Sequence, residues 1–397
     1  MKIGLLGQFG SGNSGNDGSL EAMLNFLRKA RPDAELLCFC SNPSEIQSRY
    51  DVRSFGISSP PSPSRWFRRI NGIFANLPHR FFAIQFLAAQ LGGLDLLIIP
   101  GTGILDDYQE SPMGWPFVIY RWCIAAKLRR VRVAFVSVGA GPIDHPLSRW
   151  LFRHAARSAD YRSFRDGFSR RYIEALGVDV SQDREFPDIA FRLPLPAERD
   201  DPERNHFTIG VGVMNYRGWS KIHADATAIY RTYIGKIAAF VLSLIRQGFK
   251  VRLLTGDIRD RKAVDDVLDV LKEDETDDLL CNVSAACGET LHSLMEEILQ
   301  TDMVVVSRYH NVVCALKTGR PVISIGYAQK NEDLLASFLQ SRYCQHIETF
   351  DVETLTLQFQ DVLANYEEVR RQIADTNARF EQQLAEQEQL LLQSLLR

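Results

Sequence analysis

Residues 303–325 read MVVVSRYHNVVCALKTGRPVISI, and this stretch decides the fold. The apolar run 303–307 predicts a buried strand, residues 312–318 predict a short helix, and residues 321–325 predict the next strand. Strands that are apolar on both faces and are joined through helices are typical of a parallel sheet covered by helices. The segment therefore predicts an α/β domain.

The same alternation recurs on both sides of this segment. Upstream within the same half, strands are predicted at 208–213 and 250–255, with a helix over 230–247 between them. Nearer the N-terminus, the sequence predicts a second set of strands, at 3–6, 35–40, 94–99 and 132–137. Helices are predicted between these strands, over 20–29, 82–91 and 118–128. Each set is sufficient for a Rossmann-like domain.

A chain of 397 residues exceeds what one hydrophobic core usually organises, so two domains are expected. We predict Rossmann-like domains over 1–195 and 206–350, with parallel sheets that face each other across a cleft. The charged, proline-bearing stretch 194–205 predicts the linker between them. Residues 351–397 are rich in Gln, Glu, Leu and Ala, which predicts C-terminal helices that brace the domains or extend from them.

Composition argues against several classes of protein. A formal charge of -3 provides no field for holding nucleic acid. The seven cysteines are irregularly spaced without a CxxC pair, and the eight histidines are scattered, so we expect a reducing compartment and no protein-held metal. The opening MKIGLLGQFG turns to glycine and polar residues too soon for a signal peptide, which favours a cytoplasmic location.

Residues 60–82 mix arginines with Trp and Phe in a segment without a clear period. One reading is a lid or a packing helix. The other is peripheral contact with the inner face of a membrane or with a lipid-linked substrate, through aromatic insertion and attraction of Arg to anionic headgroups. Both readings stay open from the sequence.

The loop GSGNSG at 10–15 matches the GxGxxG pattern of dinucleotide-binding proteins. Its context argues against that reading, because the second predicted strand ends at Cys40-Ser41 and not at an acidic residue that would hold a ribose. The loop still precedes a helix, predicted from about Ser19, whose N-terminus could hold an anion or a polar ligand. Asn13 and Asp17 are candidates to bind a sugar hydroxyl, or else to cap this helix.

A second loop, PGTGILDD at 100–107, follows the predicted strand 94–99. The carboxyl ends of strands are where open α/β sheets bind ligands, so Gly101, Gly103 and Asp106 are candidate substrate-binding residues. Because Asp106 and Asp107 are adjacent, we expect only one of them to face the cleft.

Arg308 and His310 follow the strand 303–307 directly and precede a helix. A cation and a histidine at such a junction are well placed to face an anion near the helix N-terminus. The structural alternative is that Arg308 pairs with a neighbouring carboxylate and that the backbone satisfies His310.

Five blocks of sequence, in the same order, resemble the polysaccharide pyruvyl transferase family, and the resemblance runs from about residue 3 to residue 335. They are GNSGND at 12–17, DLLIIPGTG at 95–103, FRDGFS at 164–169, FPDIAF at 186–191, and SRYH at 307–310 continuing to PVISIGYAQK at 321–330. Three positions depart from the family's usual pattern. Tyr309 stands where Leu is common, Thr102 interrupts a glycine run, and Gly18 follows Asp17 where an acidic residue is common.

The resemblance implies two domains arranged as in GT-B glycosyltransferases. It also implies transfer of a pyruvyl group from phosphoenolpyruvate to a sugar of a cell-surface polysaccharide or its lipid-linked precursor, as a ketal. The family's Arg-x-His motif falls on Arg308 and His310, and its Arg-Asp motif on Arg165 and Asp166.

These residues suit the chemistry of phosphoenolpyruvate, which carries a phosphate and a carboxylate. His310 is the expected general acid, Arg308 and Arg165 the expected partners of the two anionic groups, and Lys330 an assisting cation. No cofactor is implied beyond phosphoenolpyruvate as donor substrate.

Two other functions stay open. The same two-domain layout serves GT-B glycosyltransferases that use a nucleotide-sugar donor, since a fold does not fix a function. A non-catalytic scaffold in a polysaccharide assembly complex would use the basic aromatic segment and the C-terminal helices. The sequence does not specify the sugar, the hydroxyls that form the ketal, or the oligomeric state.

Overall fold

The structure is a computed structural model, and it describes residues 1–57, 86–108, 110–197, 206–218, 225–274, 277–286, 288 and 290–397. The chain folds into two compact units. Unit 1 comprises 1–11, 19–189 and 387–397, and unit 2 comprises 12–18 and 190–386. The basic aromatic segment 60–82 and most of the predicted linker 194–205 lie outside the described residues.

Unit 1 contains a parallel sheet in the order β3-β2-β1-β4-β5-β6-β7 among the described residues. Its strands are β1 (Lys2–Leu6), β2 (Glu35–Cys40), β3 (Arg53–Gly56), β4 (Leu96–Pro100), β5 (Arg132–Val138), β6 (Tyr161–Phe164) and β7 (Arg184–Glu185). The central strands are apolar on both faces, and β4 is buried along its whole length. Because both faces are buried, helices must cover both sides of the sheet.

The helices of unit 1 include one that is shared with unit 2. They are α1 (Ser14–Ala30), α2 (Pro43–Tyr50), α3 (Trp115–Leu128), α4 (Pro146–Ser158) and α5 (Gly167–Ala175). The first turn of α1 belongs to unit 2 and the remainder to unit 1. The core of unit 1 lies between the sheet and α3, where Phe39 and Trp122 pack with ring centroids 4.5 Å apart.

Unit 2 repeats this design with a parallel sheet in the order β10-β9-β8-β11-β12-β13. Its strands are β8 (Thr208–Gly212), β9 (Lys250–Leu254), β10 (Val283–Ala286), β11 (Met303–Val306), β12 (Val322–Gly326) and β13 (Cys344–His346). Its helices are α6 (Ala226–Arg246), α7 (Arg261–Asp274), α8 (Asp277–Leu280), α9 (Leu291–Leu299), α10 (Tyr309–Lys317), α11 (Gln329–Ser337), α12 (Val352–Ala364) and α13 (Tyr366–Ser394). The prediction of two α/β domains with parallel sheets and C-terminal helices is confirmed.

Among the described residues, one helix, α6, is long and apolar enough to cross a membrane by length and composition. Half of the most apolar 18-residue stretch of α6 is buried inside the protein. Its buried residues include Tyr233, Ile237 and Phe240, which line the core of unit 2. We therefore assign α6 as a core helix.

The predicted starts of two helices were wrong, and both errors concern the candidate site. Helix α1 begins at Ser14 and not near Ser19, so the glycine-rich loop passes directly into the helix. Helix α10 begins at Tyr309 and not at Val312, so His310 lies in its first turn. Glycine, serine and asparagine have low helix propensity, but the first turn of a helix tolerates them because its N–H groups have no partner within the helix.

The last helix, α13, is divided between the two units. Its residues up to Glu386 belong to unit 2, and its residues from Gln387 onward belong to unit 1. In unit 1, the amide nitrogen of Gln387 donates to the hydroxyls of Ser137 and Ser163 at 2.8 and 3.0 Å. In unit 2, Asn377 donates to the carbonyl of Leu316 at 2.7 Å. The domain boundaries predicted from sequence treat each domain as one continuous segment, whereas each unit of the structure consists of more than one segment of the chain.

Candidate functional site

The sheet of unit 2 has a topological switch point between β8 and β11, where the strand order changes direction. In open α/β sheets, ligands bind beyond the carboxyl ends of the strands at such a point. The segments that follow β9 and β11 supply the polar residues at this edge, among them Asp257, Asp260, Arg308 and His310.

Arg308 is held by two carboxylates at this edge. Its Nε and Nη2 donate to the two oxygens of Asp260, each at 2.8 Å, in a bidentate pair. Asp257 lies 3.7 Å from Nη2 and also accepts two bonds from the side chain of Arg259. Asp260 is fully buried, whereas the Arg308 side chain is 13% exposed. The pairs fix the plane of the guanidinium and keep its remaining edge toward the more open side.

The charges of this cluster stabilise one another. Burial opposes the charge of Arg308, but attraction and hydrogen bonding by Asp260, together with Asp257, raise its pKa. Burial also acts against the Asp257 carboxylate, but the hydrogen bond from Arg259 and the charge of Arg308 lower its pKa. Both groups are therefore ionised at neutral pH.

His310 lies against Gly15 of the glycine-rich loop, and both residues belong to unit 2. A methyl group added at Gly15 would stand 2.0 Å from Nδ1 of His310, so the imidazole fits only because residue 15 has no side chain. The loop is fixed by a hydrogen bond from the Ser14 hydroxyl to the carbonyl of Gly256, at 2.7 Å, and by a β-bridge between Asn13 and Asp257. These contacts bring the first turn of α1 to the first turn of α10.

Asn13 and Asp17 both serve the start of α1. The side-chain oxygen of Asn13 accepts from the N–H of Gly15 at 3.0 Å, which is a capping contact. Asp17 is buried in the first turn, where its charge is favoured by the helix dipole. Capping is thus visible for Asn13, and a contact of either residue with a sugar stays a prediction.

Lys330 lies near the N-terminus of α11 and faces two aromatic rings. Its ammonium is 4.9 Å from the ring centre of Tyr327 and 6.0 Å from that of Tyr309. The ring of Tyr309 in turn meets the imidazole of His310 edge-to-face at 5.2 Å. No carboxylate among the described residues pairs with Lys330. Its charge is therefore held by cation–π contacts and stays available to an anion.

Behind the cluster, hydroxyl and amide groups fix the end of β11. The Ser307 hydroxyl bonds to that of Tyr233 at 2.9 Å, and burial raises the pKa of Tyr233 to about 12, so this phenol stays protonated. Asn311 is fully buried, and among the described residues its side-chain amide has no hydrogen-bond partner. It packs against Gly256, where an added methyl would stand 2.1 Å from its oxygen.

Arg165 belongs to unit 1, at the carboxyl end of β6. Its side chain is 3% exposed and lies 3.4 Å from carboxylate oxygens of both Asp166 and Asp188. Its guanidinium covers the backbone of Gly139, where a methyl would stand 2.5 Å from Nη2. Asp166 also caps α5 by accepting from the N–H of Ser169 at 2.6 Å. Arg165 is thus embedded among the loops at this edge of unit 1.

The loop 101–107 in unit 1 contains the other predicted binding residues. Gly101 has φ 57° and packs on Ser19, so its backbone conformation and the close contact both favour glycine. Gly103 and Asp106 are half-buried, and Asp106 accepts from the N–H of Tyr108 at 3.2 Å. Asp107 is buried and accepts from the N–H groups of Asp144 and His145, each at 3.0 Å. Of the adjacent pair, Asp107 therefore has a structural role.

The structure thus places Asn13, Asp17, Arg308, His310 and Lys330 in unit 2, and Arg165, Gly101, Gly103 and Asp106 in unit 1. Within the described residues, no group of three or more His, Cys, Asp or Glu side chains could hold a metal ion.

Sequence reasoning missed Asp257 and Asp260, which hold Arg308. A signal was available, because Gly256-Asp257 directly follows the strand predicted at 250–255, as Arg308 directly follows the strand predicted at 303–307. The pairing itself joins residues 48 positions apart and depends on β9 and β11 both flanking β8.

Comparison with known proteins identifies the family. The model of the family described as "Polysaccharide pyruvyl transferase" matches residues 13–329. The chain belongs to the polysaccharide pyruvyl transferase family. The match begins within the glycine-rich loop, at Asn13, and includes Arg165, Arg308 and His310. No curated protein matches the chain significantly.

Several solved structures, two of them bound to UDP, share the fold of this family member. MnaA of S. aureus, solved with UDP, has a TM-score of 0.62 at 9% identity, over 95% of this chain and 91% of that one. Alr3699/HepE of Anabaena, in complex with UDP, has a TM-score of 0.61 at 12% identity, over 100% and 99%. A glycosyltransferase of Rickettsia africae has a TM-score of 0.58 at 10% identity, over 98% and 98%. At these identities the likeness shows a GT-B-like fold alone.

Proposed function

We propose that this transferase moves a pyruvyl group from phosphoenolpyruvate to a saccharide, where it forms a cyclic ketal. Membership of the family supports the class of reaction. One further observation carries the proposal. His310, Arg308 and Lys330 lie at the carboxyl edge of one sheet. His310 is in the first turn of α10, Arg308 directly precedes α10, and Lys330 is in the first turn of α11. A proton donor beside two cations is what a substrate with one phosphate and one carboxylate requires.

The proposed reaction begins with proton transfer from His310 to the methylene carbon of phosphoenolpyruvate. A first sugar hydroxyl adds to the resulting cation at the adjacent carbon, and its proton returns to His310. The carbon–oxygen bond to phosphate then breaks and inorganic phosphate departs. A second hydroxyl adds to close the ketal, and its proton ends on the released phosphate. The sum is one phosphoenolpyruvate and two hydroxyls converted to one ketal and one phosphate.

The two cations of unit 2 suit different parts of the donor. Arg308 is oriented by Asp260, so its remaining edge can offer directional donors to one anionic group. The ammonium of Lys330 is a compact charge at the end of a flexible side chain and lies against two aromatic rings. It can therefore stay close to the phosphate group while that group departs. The ring of Tyr309 makes a cation–π contact with Lys330. The Leu that is common at this position in the family could not make this contact, because it has no aromatic ring.

Unit 1 is the proposed acceptor side. Gly101, Gly103 and Asp106 follow β4, and the half-buried Gly103 backbone and Asp106 carboxylate can bind sugar hydroxyls. The role of Arg165 toward the donor stays a prediction, since Asp166 and Asp188 already pair with it. A cytoplasmic location and an acceptor that is free or lipid-linked are also proposals.

The test is incubation of the full chain with phosphoenolpyruvate and a panel of candidate saccharides. We expect release of inorganic phosphate that depends on the saccharide, and a saccharide product heavier by one pyruvyl group in mass spectrometry. His310→Ala should lower both signals by about 10²–10⁴-fold, whereas His346→Ala, at an exposed histidine of the same unit, should retain them. Tight binding of UDP, with no phosphate released from phosphoenolpyruvate, would instead support a nucleotide-sugar glycosyltransferase.

A further inference from the structure

The outer face of α4 in unit 1 has an unusual combination of side chains. From Pro146 to Arg157 its exposed or half-buried residues are basic or apolar, whereas its inner face is buried against the core. The outward residues of this surface, which we call the α4 face, are Leu147, Arg149, Trp150, Arg153, His154 and Arg157.

The charge of the α4 face is uncompensated. The helix contains no acidic residue, and among the described residues no carboxylate pairs with Arg149, Arg153 or Arg157. Arg149 and Arg157 donate instead to backbone carbonyls of Ile143 and Gly177. These bonds hold the guanidinium groups in place without neutralising them.

The acidic residues that flank the helix do not supply a counter-charge along it. Asp160 is paired with Lys127 at 2.8 Å and also accepts from the N–H of Val133. Asp144 is exposed and lies ahead of the first turn. The three arginines recur every four residues, so they form a positive stripe along one side of α4.

Apolar side chains are exposed beside this stripe. Trp150 is 47% exposed and Leu147 is 41% exposed. Both lie on the outer face of α4, whereas the inner face of the same helix is buried. The indole is held in place by Tyr120 at 5.3 Å and by His154 at 4.2 Å between ring centres. A Trp held by neighbouring rings yet open to solvent on its outer side is well placed to enter an interface.

We propose that the α4 face docks on the surface of an anionic phospholipid bilayer. Arginines would bind headgroup phosphates, while Trp150 and Leu147 would enter the boundary between headgroups and acyl chains. A purely polyanionic partner such as nucleic acid or an acidic protein would use the arginines but would gain nothing from exposed Trp and Leu at the same site. This inference concerns a surface remote in sequence from Arg308 and His310, and it does not depend on the proposed reaction.

The first test measures co-sedimentation of the full chain with vesicles of phosphatidylcholine alone and of phosphatidylcholine mixed with phosphatidylglycerol. We expect binding to the mixed vesicles only. The triple variant Arg149→Glu/Arg153→Glu/Arg157→Glu should weaken that binding on the order of a hundredfold, because each cation near an anionic surface contributes about fivefold. The matched control, Lys262→Glu/Lys272→Glu/Arg371→Glu, changes the net charge equally at exposed cations of unit 2 and should bind much more tightly than the α4 variant. Equal binding by the two triple variants would overturn the proposal.

The second test avoids charge reversal, so it does not depend on how well the triple variant folds. Acyl chains brominated near the headgroup quench tryptophan fluorescence when the indole enters the membrane. We expect quenching of the wild-type chain and loss of most of it in Trp150→Phe, with the bound fraction reduced only severalfold. Quenching that persists in Trp150→Phe but is lost in Trp66→Phe would assign the contact to residues 60–82 and contradict the α4 assignment. Binding to a soluble polyanion with no quenching by these vesicles would also overturn it.

Discussion

The two units place an arginine at corresponding edges of similar parallel sheets, but they surround it differently. In unit 2, Arg308 forms a bidentate pair with Asp260 at 2.8 Å and keeps a partly exposed edge. In unit 1, Arg165 is almost fully buried and contacts Asp166 and Asp188 at 3.4 Å each.

This difference indicates a division of roles. A guanidinium that is oriented by a tight bidentate pair and remains partly exposed is well placed to bind an anion, whereas the more deeply buried Arg165, which covers Gly139, is well placed to hold loops together. Substitutions at His310 and at Arg165 should therefore separate an effect on chemistry from an effect on stability.

The largest expected effect comes from the proton donor of unit 2. His310→Ala should lower kcat by about 10²–10⁴-fold, because general acid catalysis contributes about that much, while the thermal stability changes little. Arg165→Gln, the counterpart in unit 1, should lower stability more than His310→Ala does. Steady-state kinetics and thermal denaturation check both variants. A His310→Ala enzyme with wild-type kcat would show that His310 is not the proton donor.

The next effect compares the partners of the two arginines. Asp260→Asn should destabilise the protein by about 3–5 kcal/mol, because it leaves Arg308 without its bidentate partner in a buried setting. Asp188→Asn should cost less, about 1–3 kcal/mol, since its bond to Arg165 is long and Asp166 remains. Urea denaturation measures both. If Asp188→Asn were the more damaging change, Arg165 would be the more tightly integrated of the two arginines in energy as well as in burial.

A smaller effect tests the fit of His310 against the loop. Gly15→Ala should lower kcat on the order of 10²-fold, since a methyl 2.0 Å from Nδ1 must displace the imidazole. Gly235→Ala is the matched control, because a methyl there meets no atom within 4 Å and lies inside α6. The control should keep full activity and gain about 1 kcal/mol of stability. Unchanged kcat in Gly15→Ala would mean that the position of His310 is not critical.

The smallest effect is a pH dependence of stability from Asp257. Its pKa is lowered from the ordinary 3.8, so its ionised form is favoured in the folded state. Its contribution is therefore fully present above about pH 4 and is lost as the pH falls through the lower, folded value. Asp257→Asn should flatten the decline of unfolding free energy between neutral and acidic pH, as measured by urea denaturation at a series of pH values. An identical slope in the variant would contradict this.

Much of the fold could be predicted because buried strands have a strong local signature. The runs at 35–40 and 303–307 are apolar on both faces, and the strands found are Glu35–Cys40 and Met303–Val306. Helix starts were less accurate, as α1 and α10 show, because the first turn makes no complete set of internal hydrogen bonds and its residues resemble a loop.

The candidate site divides in the same way. Arg308, His310 and Lys330 could be proposed from their place after predicted strands, since strand ends and helix N-termini have local signals. The sequence could not specify that Asp260 orients Arg308, that Gly15 makes room for His310, or that Tyr309 and Tyr327 support Lys330.

By itself, the sequence determined the alternation of strands and helices, the family, and which loops carry polar residues at strand ends. Those properties depend on neighbours along the chain, whose periodicity and spacing can be read directly. Only the tertiary structure decided that the loop 12–18 joins unit 2, that Asp257 and Asp260 share Arg308, and that Arg165 is buried. Such contacts join segments far apart in sequence, and their geometry follows from the order of strands in the sheet and the packing of helices on it.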